Sequence, residues 1–223
     1  MSYERYANIS KIVPYVKRNS QPRSPFGSQE ENLPSLTVLI RLCSGADVVG
    51  FGSGFLIGNN FVVTAKHVLS IPYQYLDLRI GRGDGSISGD QLSVINGVRS
   101  ENYDLAVLKL GEPQNAWFEF DNAPLSDGER LSMAGYGEPG SNGHFRCGEN
   151  LGTVSSIEGD EFGHDINTYV GDSGAPIYRL ANGKAVVSGM HLSGEKNDSG
   201  GFNRGLIING AVRAELERFM AIL

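Results

Sequence analysis

The sequence TYVGDSGAPI at residues 168–177 decides how this chain is expected to fold. Ser173 lies between Asp172 and Gly174, and Gly171 precedes that group. Closely spaced glycines permit a sharp turn and a close approach of the backbone to a neighbouring group. Apolar and β-branched residues flank the turn, as is typical of strands. The stretch therefore predicts two strands joined by a tight turn that presents the Ser173 hydroxyl.

Two upstream segments carry side chains that can activate a serine. FVVTAKH at residues 61–67 ends in His67, and NYDLAVLKL at residues 102–110 places Asp104 at the start of an apolar run. A serine hydroxyl needs an imidazole to take its proton, and a carboxylate holds that imidazole in one tautomer. Each motif alone is also typical of an ordinary turn or strand end. Together they predict a catalytic triad in which Ser173 is the nucleophile, His67 the general base and acid, and Asp104 the orienting group.

These three motifs resemble those of the chymotrypsin-like, trypsin-fold family of serine proteases. The resemblance rests on GDSG at 171–174, TAKH at 64–67 and DLAVL at 104–108, and it extends from about Leu36 to the C-terminus. It implies an all-β fold of two six-stranded antiparallel β-barrels with the active site between them. It also implies a serine endopeptidase that acts through an acyl-enzyme.

The same resemblance implies how the reaction's negative charge is stabilised. The backbone N–H groups of Gly171 and Ser173 would form an oxyanion hole for the tetrahedral intermediate.

Two further residues resemble the specificity pocket of one branch of that family. Thr168 precedes Ser173 by five residues, and His191 ends the run VVSGMH at residues 186–191. Glutamyl endopeptidases and viral proteases specific for Glu or Gln place a threonine and a histidine at similar positions, where both line the pocket for the residue before the scissile bond. A hydroxyl and an imidazole N–H can donate to a carboxylate or an amide oxygen. The resemblance thus predicts cleavage after Glu or Gln.

The residues alone leave a second interpretation of this pocket open. His191 is then an ordinary strand-end histidine, and Thr168 a residue with high strand propensity.

Neighbouring positions extend the predicted pocket. By the same resemblance, a pocket for Lys or Arg would carry an acid near Asn167, which is neutral, so cleavage after basic residues is not expected. Leu192, Ser193 and Gly194 are implied to pair with the backbone of an extended substrate as an added strand.

Short apolar and alternating runs fill the chain after a polar N-terminal segment. With 223 residues and 40% hydrophobic content, the chain can bury a large core as one protease unit. We expect a flexible N-terminal arm at 1–34, a first barrel at 35–115 and a second barrel at 116–223. Residues 166–169 are a predicted strand, and residues 111–127 a linker. A C-terminal helix that docks on the second barrel is predicted from apolar residues at helical spacing, which are Val212, Leu216, Phe219, Met220 and Leu223.

Charge and composition exclude several classes of partner. The net charge of −6 without a basic run argues against binding to nucleic acid or to an anionic membrane surface. No apolar segment approaches the ~20 residues that span a bilayer, and the N-terminus lacks the apolar core of a signal peptide. Two distant cysteines, Cys43 and Cys147, suit free thiols in a reducing compartment. We therefore expect a cytoplasmic protein whose partners are protein or peptide substrates.

The histidines outside the predicted triad and pocket show no metal-binding spacing. We expect no cofactor and no metal. His144 and His164 each follow a glycine, which predicts that both lie in loops.

The residue before Ser173 bears on activation. In relatives made as zymogens, a freed N-terminus pairs with the corresponding aspartate, here Asp172. Residues 12–14 of this chain are IVP, with proline where such a terminus has glycine. Because proline fixes φ and stiffens the segment, we expect an oxyanion hole that forms without such a cut. Glu30 and Glu31 lie in the predicted arm, where a Glu-specific enzyme would trim itself.

Two other functions are compatible with the sequence. One is a restricted or self-processing protease whose barrels mainly bind partners. The other is a non-catalytic binding module with the protease fold, against which the intact set of three predicted catalytic residues argues.

Overall fold

The computed structural model describes residues 33–81, 87, 90–137, 146–194 and 202–223, with the backbone alone for residues 146–151. Most of the predicted arm lies outside the described residues, including residues 12–14, Glu30 and Glu31. His144 and the side chain of Cys147 lie outside them as well.

The first sheet is built from residues that follow a short helix, α1 (Leu33–Leu36). Its six strands are β1 (Thr37–Ser44), β2 (Asp47–Ile57), β3 (Phe61–Thr64), β4 (Tyr75–Ile80), β5 (Val94–Arg99) and β6 (Ala106–Leu110). They lie in the order β4–β1–β2–β3–β6–β5, and all neighbours are antiparallel. The interior strand β1 is buried along almost its whole length, whereas the edge strand β5 leaves Ile95 exposed.

Within the described residues, the second sheet contains seven strands. They are β7 (Glu119–Phe120), β8 (Arg130–Gly135), β9 (Arg146–Glu158), β10 (Glu161–His164), β11 (Pro176–Ala181), β12 (Lys184–Gly194) and β13 (Asn203–Ile207). The order is β11–β8–β9–β10–β13–β12–β7, and an additional pairing of β11 with β12 closes six strands into a barrel. The short strand β7 joins β12 in parallel from outside this barrel.

The predicted all-β architecture with two barrel sheets and a C-terminal helix is confirmed. Two details of the prediction are wrong. Residues 111–127 are not a plain linker, since they contain β7, and the strand expected at 166–169 is a loop that follows β10. In this loop, side chains rather than a neighbouring strand bind the backbone: Asn203 donates to the carbonyl oxygen of Ile166, and the Asp172 carboxylate accepts from the Tyr169 N–H.

The C-terminal helix, α2 (Gly210–Ile222), has the predicted apolar face. Val212, Leu216 and Phe219 are buried in the larger core. We expected docking on the second barrel, where Arg213 of the helix lies over the Phe120 ring of β7, but the helix also binds the first: Lys109 of β6 donates to the backbone oxygen of Leu223. The end of the chain therefore bridges the two sheets. Within the described residues, no helix has the length and apolar character that a membrane crossing requires.

Candidate active site

His67 lies in a short 3₁₀ helix, Lys66–Ser70, that follows β3. Its ring nitrogen Nδ1 is 2.6 Å from Oδ2 of Asp104, and its backbone N–H donates to Oδ1 of the same carboxylate at 2.9 Å. One carboxylate thus binds both the ring and the backbone of His67. Two contacts to one group restrict the position and the tautomer of the imidazole.

The ionisation of Asp104 follows from this arrangement. Burial by itself raises the pKa of Asp104, but the hydrogen bonds and charge of His67 and the charge of Lys66 outweigh burial and lower the pKa overall. The carboxylate is therefore ionised near neutral pH and can stabilise a positive charge on the imidazole.

Backbone contacts place the Ser173 turn beside the segment that carries His67. The Ser53 N–H of β2 donates to the carbonyl oxygen of Ser173 at 2.8 Å. Gly174 has φ +85°, and a Cβ there would lie 2.1 Å from the carbonyl oxygen of Ser53 and 3.0 Å from the backbone nitrogen of Ala65. Only glycine permits this approach, which places the turn against Ala65, two residues before His67 in the sequence.

The Ser173 hydroxyl donates to the carbonyl oxygen of Leu192 at 3.1 Å. Within the described residues, its hydrogen bond therefore goes to Leu192 and not to His67. Rotation of the serine side chain would redirect it, and such bonds often align only when substrate is bound. The structure brings the three predicted residues to one junction between the sheets, with the hydroxyl–imidazole bond unmade.

The residues of the predicted oxyanion hole lie in a tightly packed turn. Gly171 has φ +98°, its carbonyl oxygen accepts from the Ser53 hydroxyl at 2.8 Å, and the Phe51 ring packs against its Cα. No hydrogen bond joins the N–H of Gly171 or of Ser173 to another residue in the described part of the chain. Both donors are thus available to an oxyanion.

Asp172 anchors the Gly171–Ser173 turn through hydrogen bonds. Its carboxylate is fully buried and accepts from the backbone N–H groups of Gly137 at 3.0 Å and Tyr169 at 2.8 Å. The Ala175 N–H in turn donates to the backbone oxygen of Asp172 at 2.8 Å. Backbone donors of the second barrel therefore bind the aspartate that precedes the serine.

Both predicted pocket residues are buried, and His191 is bound directly to the serine turn. His191 is joined to this turn by two backbone bonds, from Gly174 N–H to its carbonyl oxygen at 2.8 Å and from its own N–H to Ala175 at 2.9 Å. Thr168 and His191 are 5% and 3% exposed. Asn167, at the position where a basic-specific pocket would carry an acid, is neutral and donates to the Tyr169 hydroxyl.

The segment expected to pair with substrate is the end of β12. Ser193 and Gly194 pair on one side with β13, and a bulge occurs at Leu192. On the other side the pairing with β11 ends at Met190. Leu192 is buried, whereas Ser193 is half-buried and Gly194 exposed. This edge has the exposure that an added strand requires.

The prediction that His164 lies in a loop is wrong. His164 ends β10 and is fully buried, with its ring 5.7 Å from that of Phe162. Its Nε2 is 3.2 Å from Nδ1 of His191. The glycine before His164 lies within the strand, and the turn that matters is Gly159, whose φ is +62°. That turn after a long strand, followed by Phe162, is the signal that predicts a returning strand and an inward-facing position near His164.

Burial accounts for the charge state of His164. Burial chiefly, together with the neighbouring His191, holds the pKa of His164 well below 6.5, against a smaller opposite effect from the Arg204 backbone. A neutral imidazole therefore packs against His191.

The side chains that the structure describes include one free thiol and no metal site. The described residues contain no group of three His, Cys, Asp or Glu placed to hold a metal. Cys43 is a buried free thiol.

Known proteins share both the sequence pattern and the fold. The chain is 27% identical over 180 residues to a glutamyl endopeptidase of Staphylococcus epidermidis, covering 73% of this chain and 60% of the relative. It is 25% identical over 184 residues to a glutamyl endopeptidase of Staphylococcus aureus, covering 74% of this chain and 53% of the relative. The chain thus spans less than two thirds of the length of these relatives.

Solved structures show the same fold at lower identity. Mouse brain neuropsin, a serine protease, matches with a TM-score of 0.63 and 16% identity, covering 85% of this chain and 96% of its own. A scabies mite inactivated protease paralogue matches with a TM-score of 0.66 and 15% identity, covering 92% and 100%. Because one of these two is an inactivated protease, the fold by itself does not establish catalysis.

The family match covers the part of the chain that carries the predicted triad. Residues 52–187, which include His67, Asp104 and Ser173, match the family described as the trypsin-like peptidase domain. This match spans more than half of the chain and agrees with the relatives and the fold. The chain belongs to the trypsin-like peptidase family, within the chymotrypsin-like serine proteases.

Proposed function

We propose that this chain is a serine endopeptidase of protein or peptide substrates, with Ser173 as nucleophile, His67 as general base and acid, and Asp104 as the orienting carboxylate. The observation that carries the proposal is the double contact of Asp104 with the ring and backbone of His67, at 2.6 and 2.9 Å, beside the Ser173 turn. A structural ion pair has no need of a neighbouring serine and two unengaged backbone donors.

The proposed reaction follows from this geometry. Because Nδ1 of His67 donates to Asp104, Nε2 carries the lone pair that takes the proton of Ser173 once its hydroxyl turns from Leu192. The serine oxygen attacks the substrate carbonyl carbon, and the charge that forms on the carbonyl oxygen is stabilised by the N–H groups of Gly171 and Ser173. His67 then protonates the leaving amine as the C–N bond breaks. Water hydrolyses the acyl-enzyme by the same proton transfers.

We further propose cleavage after Glu, with Gln as the alternative. A substrate side chain that reaches Thr168 and His191 leaves water, because both residues are almost fully buried. A carboxylate in such a place is strongly destabilised unless donors bind it. The glutamyl endopeptidases named above support Glu as the preferred residue.

A donor role for His191 requires one tautomer of its contact with His164. We propose that Nε2 of the neutral His164 carries the shared proton and donates to Nδ1 of His191. His191 then carries its own proton on Nε2 and can donate to a carboxylate or amide oxygen.

The nucleophile is tested with a fluorophosphonate probe on the wild type, Ser173→Ala and Ser126→Ala, the last a substitution of an exposed serine. We expect labelling of the wild type and Ser126→Ala and none of Ser173→Ala. Equal labelling of all three would place the nucleophile elsewhere. A wild type that neither labels nor cleaves any peptide would indicate a non-catalytic binding module.

The pocket is tested with peptides that differ only in the residue before the scissile bond, namely Glu, Gln, Asp, Leu and Lys. We expect kcat/KM to be highest for Glu, followed by Gln. A preference for Lys or Leu would contradict the assignment of Thr168 and His191.

A further inference from the structure

A buried carboxylate of the C-terminal helix reaches into the first barrel. Glu215 of α2 is 9% exposed, and its Oε1 and Oε2 accept from the Ser100 hydroxyl at 2.5 Å and from the Asn102 side-chain amide at 3.0 Å. Ser100 and Asn102 belong to the loop between β5 and β6. A charge is placed at such depth only when it is paired and hydrogen-bonded.

The loop that Glu215 binds is the one that presents Asp104. The Ser100 hydroxyl donates to Glu215 and accepts from the backbone N–H groups of Asn102 at 3.1 Å and Tyr103 at 2.9 Å. The Ser100 N–H donates to the carbonyl oxygen of Leu105 at 2.8 Å and closes the loop. Asp104 therefore lies inside a turn that is folded around one hydroxyl, and Glu215 fixes the orientation of that hydroxyl.

The same loop is also bound from the histidine side. Nζ of Lys66, the residue before His67, donates to the carbonyl oxygen of Ser100 at 2.9 Å. Ser100 thus connects the segment of His67, the segment of Asp104 and the C-terminal helix.

Glu215 is suited to accept two hydrogen bonds at once. Burial raises the pKa of Glu215, but the hydrogen bonds from Ser100 and Asn102 and the charges of Arg218 and Lys66 lower the pKa overall. An ionised carboxylate accepts at both oxygens, whereas a glutamine presents one acceptor and one donor. Glutamine would keep one of the two bonds.

We propose that Glu215 is a positioning residue for catalysis: from the C-terminal helix it holds the Ser100–Asn102 loop so that Asp104 stays aligned on His67. The inference rests on the proposed function of Asp104 and His67. Removal of this contact would not unfold the triad but would widen the range of positions that Asp104 adopts, and errors of about 1 Å in such geometry cost up to about 100-fold in rate.

The test compares Glu215→Ala and Glu215→Gln with the wild type, using kcat per active site, counted by fluorophosphonate labelling to completion. We expect kcat to fall about tenfold in the alanine variant, with KM within about twofold, and by less in the glutamine variant, because the lost alignment affects the transition state and not substrate binding. A purely structural role would lower the labelled fraction and the melting temperature, with kcat per labelled site unchanged in both variants, and would overturn the proposal.

Glu217→Ala is the matched control, since Glu217 lies on the same helix with a side chain 55% exposed and pairs with Arg213. Its kcat and KM are expected to match the wild type. If Glu215→Ala does not fold, Ser100→Ala takes its place, because it removes the hydroxyl that Glu215 orients. The same loss of kcat at constant KM is then expected, and an unchanged kcat would refute the inference.

Asp104→Asn distinguishes a failure of the proposed function from a failure of the positioning role alone. Full activity in Asp104→Asn would refute the proposed function itself. If Asp104→Asn loses activity while Glu215→Ala keeps full kcat, only the positioning role fails. Addition of Glu215→Ala to Asp104→Asn is expected to change kcat by less than about twofold, because the Asp104 carboxylate that Glu215 aligns is already absent.

Discussion

The two barrels contribute unlike environments to the proposed active site. The side chains of His67 and Asp104, from the first barrel, are 45% and 31% exposed. Thr168, His191 and His164, from the second barrel, are 5%, 3% and 0% exposed. A general base must reach a substrate and exchange protons, whereas a pocket that selects a carboxylate must first remove it from water. Under the proposed function, proton transfer takes place on the open side of the junction and substrate selection on the buried side.

The same contrast appears in the charges. On the first barrel, an ionised Asp104 lies beside His67, and both side chains are partly exposed. On the second barrel, burial keeps His164, the neighbour of the proposed donor His191, uncharged. Under the proposed function, the pocket would bind a substrate carboxylate through hydrogen bonds, without the strong attraction that an arginine would bring.

The largest effect is expected on the exposed side, from Asp104→Asn. The amide can no longer hold Nδ1 of His67 as a donor or stabilise the imidazolium, so we expect kcat to fall by about 10⁴-fold for every peptide, with the ranking of substrates unchanged. Steady-state kinetics on the peptide panel measures both quantities.

Asp127→Asn, in an exposed turn, serves as the control for an Asp-to-Asn change. A change of substrate ranking in Asp104→Asn would show that Asp104 of the first barrel also affects substrate selection.

The next effect concerns the turn at the junction. A Cβ at Gly137 would lie 2.4 Å from Cγ of Asp172, so Gly137→Ala is expected to displace the carboxylate that holds the Gly171–Ser173 turn. Loss of a well-placed oxyanion donor costs about 10²–10³-fold in kcat, and we expect a loss in this range. The same peptide kinetics measures it.

Gly111→Ala is the control, since Gly111 is exposed and the nearest atom to a Cβ there is 3.2 Å away, in the Ile95 side chain. Wild-type kcat in Gly137→Ala would mean that Asp172 does not hold the oxyanion turn in place.

The sequence predicted the two-barrel fold because its strands and turns depend on short motifs with local chemistry. The triad stays a prediction, whose three residues the structure places at one junction. A turn such as GDSG requires glycines wherever it forms. A histidine that follows an apolar run and an aspartate that precedes one both lie at strand ends. His164 was missed because its burial depends on the pairing of β10 with β13, two segments about 40 residues apart. Glu215 was missed for the same reason, because no residue near it in sequence indicates that its carboxylate binds Ser100.

Substitution of His191, on the buried side, is expected to lower kcat/KM for Glu peptides more than for Leu peptides. His191→Ala removes a donor from a carboxylate that has already left water, so kcat/KM for Glu peptides should fall by about 10–100-fold, from the cost of an unpaired buried polar group. For Leu peptides the change should be within about threefold, since no hydrogen bond to that side chain is lost.

The comparison of Glu and Leu peptides is internal to one variant, so differences in folding or active fraction cancel. An equal loss on both would mean that His191 only supports the serine turn through its backbone.

The smallest effect concerns the pH dependence of stability on the buried side. The pKa of His164 is lower in the folded protein than its ordinary value of 6.5, so the unfolded chain binds a proton more readily than the folded chain does. The contribution of the neutral His164 to the free energy of unfolding is therefore complete above pH 6.5. It is lost as the pH falls below 6.5, by at most about 1.4 kcal/mol per pH unit for one group. His164→Gln should remove this contribution and flatten the curve below pH 6.5. Urea unfolding of both proteins over a pH series on either side of 6.5 measures the difference, and parallel curves would show that His164 gains its proton in the folded state as easily as in water.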